Sequence, residues 1–177
     1  MIQYHRYNYP NDPALEPGED FWIERQSHPE LTTALRAANW KEFNRIRIVE
    51  LSFEGHWFRI FDEDISSLKL QDMPANFLSF HNCNFQEADL SNTRFFPASF
   101  KGCNMRGVNL SNSEGVAYFW HCDLRGAIFS DKTDLFPRRQ TEQPSELEEC
   151  QLDDSFKDHL VKQGVSFTLG KSSLSNF

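Results

Sequence analysis

The chain has 177 residues, 39% of them hydrophobic and 14% aromatic, and a net charge of −8. That acidity speaks against nucleic-acid binding by phosphate neutralisation, and no run of about 18 apolar residues offers a membrane-spanning helix. Met1-Ile2-Gln3-Tyr4-His5-Arg6 lacks a basic stretch followed by an apolar one. The expectation is a cytoplasmic protein without a cleaved signal peptide, with delivery into another cell left open.

Residues 1–50 read as an irregular arm followed by a helical cap. Pro10, Pro13, Pro17 and Gly18 break any regular pattern in 1–20. Ser27-His28-Pro29-Glu30 has the form of a capping box, and Leu31, Ala34, Leu35 and Ala38 then share one helical face. Asn39-Trp40-Lys41-Glu42 repeats the cap, with Trp40, Phe43 and Ile46 continuing the stripe, so two short helices or one kinked helix are expected over 28–46. From Ile46 and Ile48 to Leu51, Phe53 and Phe58 the pattern shifts toward alternation, which predicts extended chain.

A five-residue beat dominates the next stretch. Bulky apolar residues recur at Phe80, Phe85, Leu90, Phe95, Phe100, Met105 and Leu110. Two positions before each stands a mostly smaller one: Leu78, Cys83, Ala88, Thr93, Ala98, Cys103 and Val108. The beat resumes at Ala117/Phe119, Cys122/Leu124 and Ala127/Phe129. A period of five is neither helical nor strand-like, so the chain is expected to turn a corner at every repeat. The beat is clear over 78–131 and degenerate over 51–77, where Leu68/Leu70 and Met73/Ala75 fit and Glu63/Ile65 fits poorly. Atypical terminal repeats are usual where a stack must be capped.

Ser113-Glu114-Gly115-Val116 is one residue short of a repeat and places glycine where a bulky residue is expected. It reads as a local loop or bend, or alternatively as a protrusion that touches a partner. Residues 132–177 read as a polar loop, a short amphipathic helix carrying Phe156, Leu160 and Val161 and ended by Gly164, and an edge strand over Val165–Leu169.

The runs Ala88-Asp89-Leu90-Ser91-Asn92, Cys103-Asn104-Met105-Arg106-Gly107, Val108-Asn109-Leu110-Ser111-Asn112 and Cys122-Asp123-Leu124-Arg125-Gly126 resemble the motif of pentapeptide-repeat proteins. The resemblance implies a mainly β fold, a right-handed quadrilateral β-helix with four pentapeptides to a coil. The small and the bulky residue of each repeat then point inward and residues twenty apart stack at about 4.8 Å. Phe85, Met105 and Leu124 form one such column, and Leu90, Leu110 and Phe129 another.

Cys83, Cys103 and Cys122 share the small inward position of one wall and are expected to act as reduced, apolar thiols, while Cys150 stands apart as a free thiol. His81 and His121 are expected to face outward. Cysteine used in this way favours a reducing compartment. Asp62-Glu63-Asp64, shortly after His56, reads as a solvated acidic loop rather than a cation site, and Asn84, Asn104 and Asp123 as partners of corner backbone groups. No Gly-rich phosphate loop or Gly-x-Ser-x-Gly elbow occurs. The expectation is therefore no catalytic residue, no cofactor and no metal.

The sequence points instead to a non-catalytic protein-interaction scaffold or inhibitor, acting through an outer wall or an appendage on a protein partner. Inhibitor, immunity protein and delivered effector are not separated. Phe96, Tyr118 and Trp120 fall at outward positions, with Glu114 and His121 beside them, and form the candidate partner-binding set. Packing of the helices or the tail over the three aromatics is the alternative. The tail allows either a docked monomer or a homodimer. The family resemblance also suggests a DNA mimic acting on DNA gyrase or another DNA-binding protein. Residues 76–130, however, are net neutral, the acidic excess being −3 in 1–40, −2 in 41–75 and −3 in 131–177. Three coils imitating duplex DNA would have to present roughly eight negative charges.

Overall fold

A computed structural model describes residues 3–6, 22–25, 29–50, 58–135, 147–163 and 168–169. Strand β1 (Gln3–Arg6) pairs antiparallel with β2 (Trp22–Arg25), Gln3 opposite Arg25 and Arg6 opposite Trp22. The reading of 1–20 as irregular throughout is corrected to this extent. Tyr4, Trp22 and Ile23 are residue types that favour strands, a signal hidden by the prolines between them.

Helices α1 (Pro29–Arg36) and α2 (Trp40–Glu50) form the expected cap. Ser27 and His28 lie outside the described residues. Helix α1 buries Leu31, Ala34 and Leu35 and ends at Ala38, in the left-handed region at φ 47°. There the Ala38 N–H donates to Leu35 O and the Asn39 N–H to Ala34 O, both at 2.9 Å. Asn39 then caps α2 by accepting the Glu42 N–H at 3.2 Å. Phe43 and Ile46, three apart on one face, are buried. The helix runs on to Glu50, so the change to extended chain expected at Ile46 does not occur there. Two isoleucines two apart fit the start of a strand and the side of a helix equally well. Arg36 Nη2 meets Glu63 Oε2 at 2.8 Å and Trp40 Nε1 donates to Gln71 O at 3.0 Å, fastening the cap to the first coil.

Beyond the cap, the corners of each coil explain the period of five. Asn82 (φ 54°), Gly102 (64°) and His121 (55°) stack at one corner, and Glu87 (56°), Gly107 (66°) and Gly126 (73°) at the next. A left-handed residue at each corner swings the chain through the turn. Four parallel walls result. The first consists of β3 (Phe58–Phe61), β4 (Leu78–His81), β5 (Arg94–Lys101), β6 (Glu114–Trp120) and β7 (Leu147–Cys150), stacked in sequence order. The other walls are ladders of single bridges: Asp64–Asn84–Asn104–Asp123–Gln151, Lys69–Asp89–Asn109–Ile128, and Pro74–Arg94–Glu114–Asp134.

The inward columns are those expected. Phe85, Met105 and Leu124 are fully buried, as are Leu90 and Leu110. Ile65 joins the Phe85 column, while Glu63, at the small position of that repeat, stays half-exposed and takes Arg36. Outside this wall the Asn Oδ1 atoms of Asn84 and Asn104 accept the N–H groups of Gln86 and Arg106, as expected of corner partners. The amides also link rungs, Asn104 Nδ2 donating to Asn84 Oδ1 at 3.0 Å and Asn84 Nδ2 to Asp64 Oδ1 at 3.0 Å.

The short repeat at 113–116 forms no loop and no protrusion. Strand β6 runs straight through it, with Ser113 buried and donating to Leu90 O at 2.8 Å. Phe95 pairs with Gly115 and Ala98 with Ala117, so Phe96 and Pro97 together stand opposite Val116. The missing residue is absorbed as a bulge at the corner.

The coil also extends past the boundary expected at 131. Thr133 and Leu135 complete a wall, and after residues 136–146 the chain rejoins the stack, Leu147 over Phe119 and Gln151 over Asp123. Cys150 is thereby a fourth rung of the thiol ladder and not a solitary tail cysteine. Each thiol donates to a carbonyl of the rung below: Cys83 to Ile60, Cys103 to Phe80, Cys122 to Phe100 and Cys150 to Phe119, at 3.3–3.6 Å. The contact with Cys103 and then burial push the Cys83 thiol up, and burial does the same at Cys122. Thiols that stay protonated and buried are poor nucleophiles. A disulfide reagent is expected to leave all four unmodified in the native protein and to titrate four after denaturation. Rapid native reaction of more than one would contradict the ladder.

Helix α3 (Asp154–Gln163) closes the far end. Asp153 caps it, accepting the Phe156 N–H at 3.0 Å and the Gly126 N–H at 2.6 Å. Phe156 and Leu160 are buried, with Phe156 against Phe129 at 5.0 Å. Val161 is 65% exposed, because one step past Leu160 turns about 100° away from the buried face. Of the expected edge strand, β8 (Thr168–Leu169) pairs with β7, and 164–167 lie outside the described residues.

Candidate partner-binding face

In β5 and β6 alternate side chains leave the coil, so Arg94, Phe96, Ser99 and Lys101 face outward beside Glu114, Val116, Tyr118 and Trp120. The bulge tips Phe96 and Pro97 out at the corner. Phe96 is 39% exposed. Directly below, the Phe77 N–H donates to Pro97 O at 2.7 Å, and Phe77 is itself 44% exposed. Phe77, Phe96, Pro97 and Val116 therefore make an apolar strip that climbs one corner of the coil.

At its upper end the strip meets Tyr118 and Trp120. Their rings lie 5.5 Å apart and 3° from parallel, and Lys101 Nζ sits 4.7 Å from the Trp120 ring centre. This cation–π contact and ring stack fix both side chains against the wall. Both are half-buried rather than fully solvated. Lower on the same wall, outward position does not mean exposure. Ser79, His81 and Ser99 are buried, with Ser99 Oγ donating to Ser79 Oγ at 2.6 Å and Ser79 Oγ 2.8 Å from His81 Nε2. His81 also stacks on Phe61 at 4.7 Å. The expectation that His81 faces solvent is corrected: it leaves the coil but is covered.

Of the five candidate residues, Phe96, Tyr118 and Trp120 share one continuous surface. Glu114 lies on the adjoining wall in an ion pair with Arg94 at 2.7 Å. His121 occupies the next corner, its Nδ1 3.1 Å from Glu149 Oε2. These two bound the face on either side and do not join the aromatics. Phe77 is the residue that sequence reasoning missed. It sits in the degenerate region, at a left-handed corner (φ 53°) where an exposed phenylalanine is out of place.

Among the described residues, no group of three or more His, Cys, Asp or Glu side chains is placed to hold a metal ion. Asp64 lies in the notional acidic loop, and its carboxylate is held below the ordinary range by hydrogen bonds from Ser66. His56 is outside the described residues. An open cleft of about 380 Å³ lies between the last coil and α3, lined by Phe129, Ser130, Asp131, Ser155, His159 and Lys162. Burial against Phe129 pushes the His159 pKa down.

Residues 79–112 match the family model of pentapeptide repeats, in eight copies. The coil is a pentapeptide-repeat β-helix. A search of curated proteins found no match. Among solved structures the chain is similar to a pentapeptide-repeat protein of the Arabidopsis thaliana thylakoid lumen, at 17% identity over 65% of this chain and 83% of that one, with a TM-score of 0.30. It is also similar to QnrB1, a plasmid-mediated fluoroquinolone resistance protein, at 20% identity over 54% of this chain and 45% of that one, with a TM-score of 0.28. The pentapeptide-repeat protein Rfr23 from the cyanobacterium Cyanothece 51142 is 13% identical over 63% of this chain and 96% of that one, with a TM-score of 0.24. Within the pentapeptide-repeat coil the aromatic strip departs from the regular pattern, since polar residues and glycine fill most other corners.

Proposed function

We propose that this pentapeptide-repeat protein is a non-catalytic interaction scaffold or inhibitor that grips a protein partner through the strip Phe77–Phe96–Val116 and the adjoining Tyr118–Trp120 pair. The observation that carries this reading is two large phenylalanines left 44% and 39% exposed on neighbouring rungs, next to a pre-stacked aromatic pair. Rigid, partly desolvated aromatics lose little entropy on binding and dominate interface energetics. The interior is filled by side chains, and the polar groups of the outer walls are bonded largely to one another, which favours binding over catalysis. Burial of the four thiols as free cysteines suits a reducing cytoplasm. Phe156 and Leu160 are already spent on the end of the coil, which favours a monomer with a docked tail.

A DNA mimic has less support. Among the described residues Glu114 stands beside Arg94 and Asp123 beside both Arg106 and Arg125, so part of the acidity of the outer walls is compensated. Replacing Phe96, Tyr118 and Trp120 by alanine is expected to abolish partner capture in pull-downs from the native host. The thermal melt, followed by circular dichroism, is expected to stay largely intact. Loss of folding, or capture at the wild-type level, would defeat the assignment of this face.

A further inference from the structure

We infer that α3 is a pH-sensitive lid on the far end of the coil, hinged at Asp153 and lifted when His159 takes up a proton. The contact it would open is narrow. Phe156, His159 and Leu160, three and four positions apart, share the face of α3 turned to the coil. Phe156 and Leu160 are buried and His159 is half-buried. The imidazole lies against Phe129 with ring centres 4.4 Å apart, next to the Phe129–Phe156 contact at 5.0 Å. It also lines the open cleft of about 380 Å³, so a proton can reach it from solvent while the helix stays docked.

Neutral imidazole suits this seat and imidazolium does not. Burial pushes the His159 pKa down, and Lys162 on α3 adds to the effect. The Thr133 carbonyl, which accepts a hydrogen bond from the ring, and Asp131 and Asp134 on the last coil pull the other way without cancelling it. Docking thus holds the pKa below the value of about 6.5 that a free histidine has. A histidine shifted in that direction stabilises the docked helix fully above about pH 6.5, and its contribution is lost as the pH falls through the docked value.

The flanking anchors do not share this dependence. Burial opposes ionisation of Asp153, but hydrogen bonds from Ser155, Gly126 and Phe156 hold its carboxylate below the ordinary range. The hinge therefore stays charged while His159 titrates. On β7, Glu149 meets His121 in a pair that is charged only when the histidine is protonated, so acid does not loosen that strand. Lifting α3 exposes Phe129, Phe156 and Leu160 and leaves the rungs below intact. Elements held by few buried contacts open first.

Hydrogen exchange of the full-length protein, read by mass spectrometry and corrected for intrinsic rates, tests the lid at about pH 7.5 and about pH 5, on either side of the ordinary histidine value. Protection over residues 156–163 is expected to fall at least about threefold in acid, with β5, β6 and β7 unchanged. His159→Phe keeps an apolar ring in the seat and is expected to remove the pH dependence. His159→Gln, neutral at both pH values and still able to donate to Thr133, should remove it too, so a misfit of phenylalanine would not hide the result. Equal protection of the wild-type helix at both pH values would overturn the inference. So would stronger protection in acid, which would mean that Asp131, Asp134 and the Phe129 ring hold imidazolium in place. A fall that persists in both variants, or that spreads to β5 and β6, would put the acid-sensitive group elsewhere and overturn it equally.

Discussion

Gly115→Ala is expected to destabilise the protein by at least about 3 kcal/mol, more than the same change at any other corner glycine. A Cβ on Gly115 would stand 2.1 Å from the Phe95 carbonyl oxygen and 2.9 Å from its carbon. Those atoms are backbone, so no side-chain rotation relieves the clash. The residue also holds φ at 111°, and its N–H donates to Asp134 O at 2.8 Å. Gly107 and Gly126 provide the comparison, since both are left-handed but a Cβ would come no nearer than 3.4 Å and 3.6 Å to its neighbours. Alanine at either should cost only the left-handed penalty, about 1–2 kcal/mol. Urea denaturation of the three variants separates the effects. Equal losses would show that the close approach of β5 and β6 at the bulge is not what requires glycine at 115.

Phe100→Ala is the second large effect, expected to cost about 3–5 kcal/mol. Phe100 is fully buried at the centre of the coil. Its ring is stacked between Phe80 at 5.3 Å and Phe119 at 5.2 Å, each within 11° of parallel, and is met edge-on by Phe85 at 5.5 Å and Phe95 at 5.9 Å. Truncation leaves a cavity that four neighbouring rings cannot collapse into without breaking the rung register. A loss of that size is a large fraction of the 5–15 kcal/mol that holds a typical domain together. Phe96 stands four residues earlier on the same strand, on the outside, and Phe96→Ala should cost under about 1 kcal/mol. The pair thus separates packing from the proposed binding: one phenylalanine is expected to carry stability and the other, on the proposed reading, partner affinity. A Phe100→Ala protein within about 1 kcal/mol of wild type would contradict the inward column.

The beat of five was enough to place Phe85, Met105 and Leu124 in one column, because inside and outside alternate on a fixed schedule within each wall. It could not show Cys150 joining Cys122. The intervening residues 136–146 displace the fourth thiol from its twenty-residue position, and a period is blind to an insertion at a corner. Nor could it show that the deletion at 113–116 falls at the corner opposite Phe96 and Pro97, since bulge and loop leave the same gap in a sequence. At the candidate partner-binding face the limit is different. Periodicity says which side of a wall a residue is on, not what packs against that side, so His81 was placed outside the coil and yet is buried, as are its outward neighbours Ser79 and Ser99. Phe77 escaped notice because its own repeat is degenerate, although phenylalanine at a left-handed corner is itself a signal.

Spin labels at Gln86→Cys and Arg106→Cys test the stacking of the coil most directly. These residues are twenty apart and outward-facing on adjacent rungs, where the Glu87 N–H donates to Arg106 O at 2.8 Å. With the native thiols buried, the doubly labelled protein in frozen solution should show strong dipolar broadening relative to the sum of the single labels. A doubly labelled spectrum equal to that sum would contradict the rung register, and with it the placement of Phe77, Phe96 and Val116 on one face.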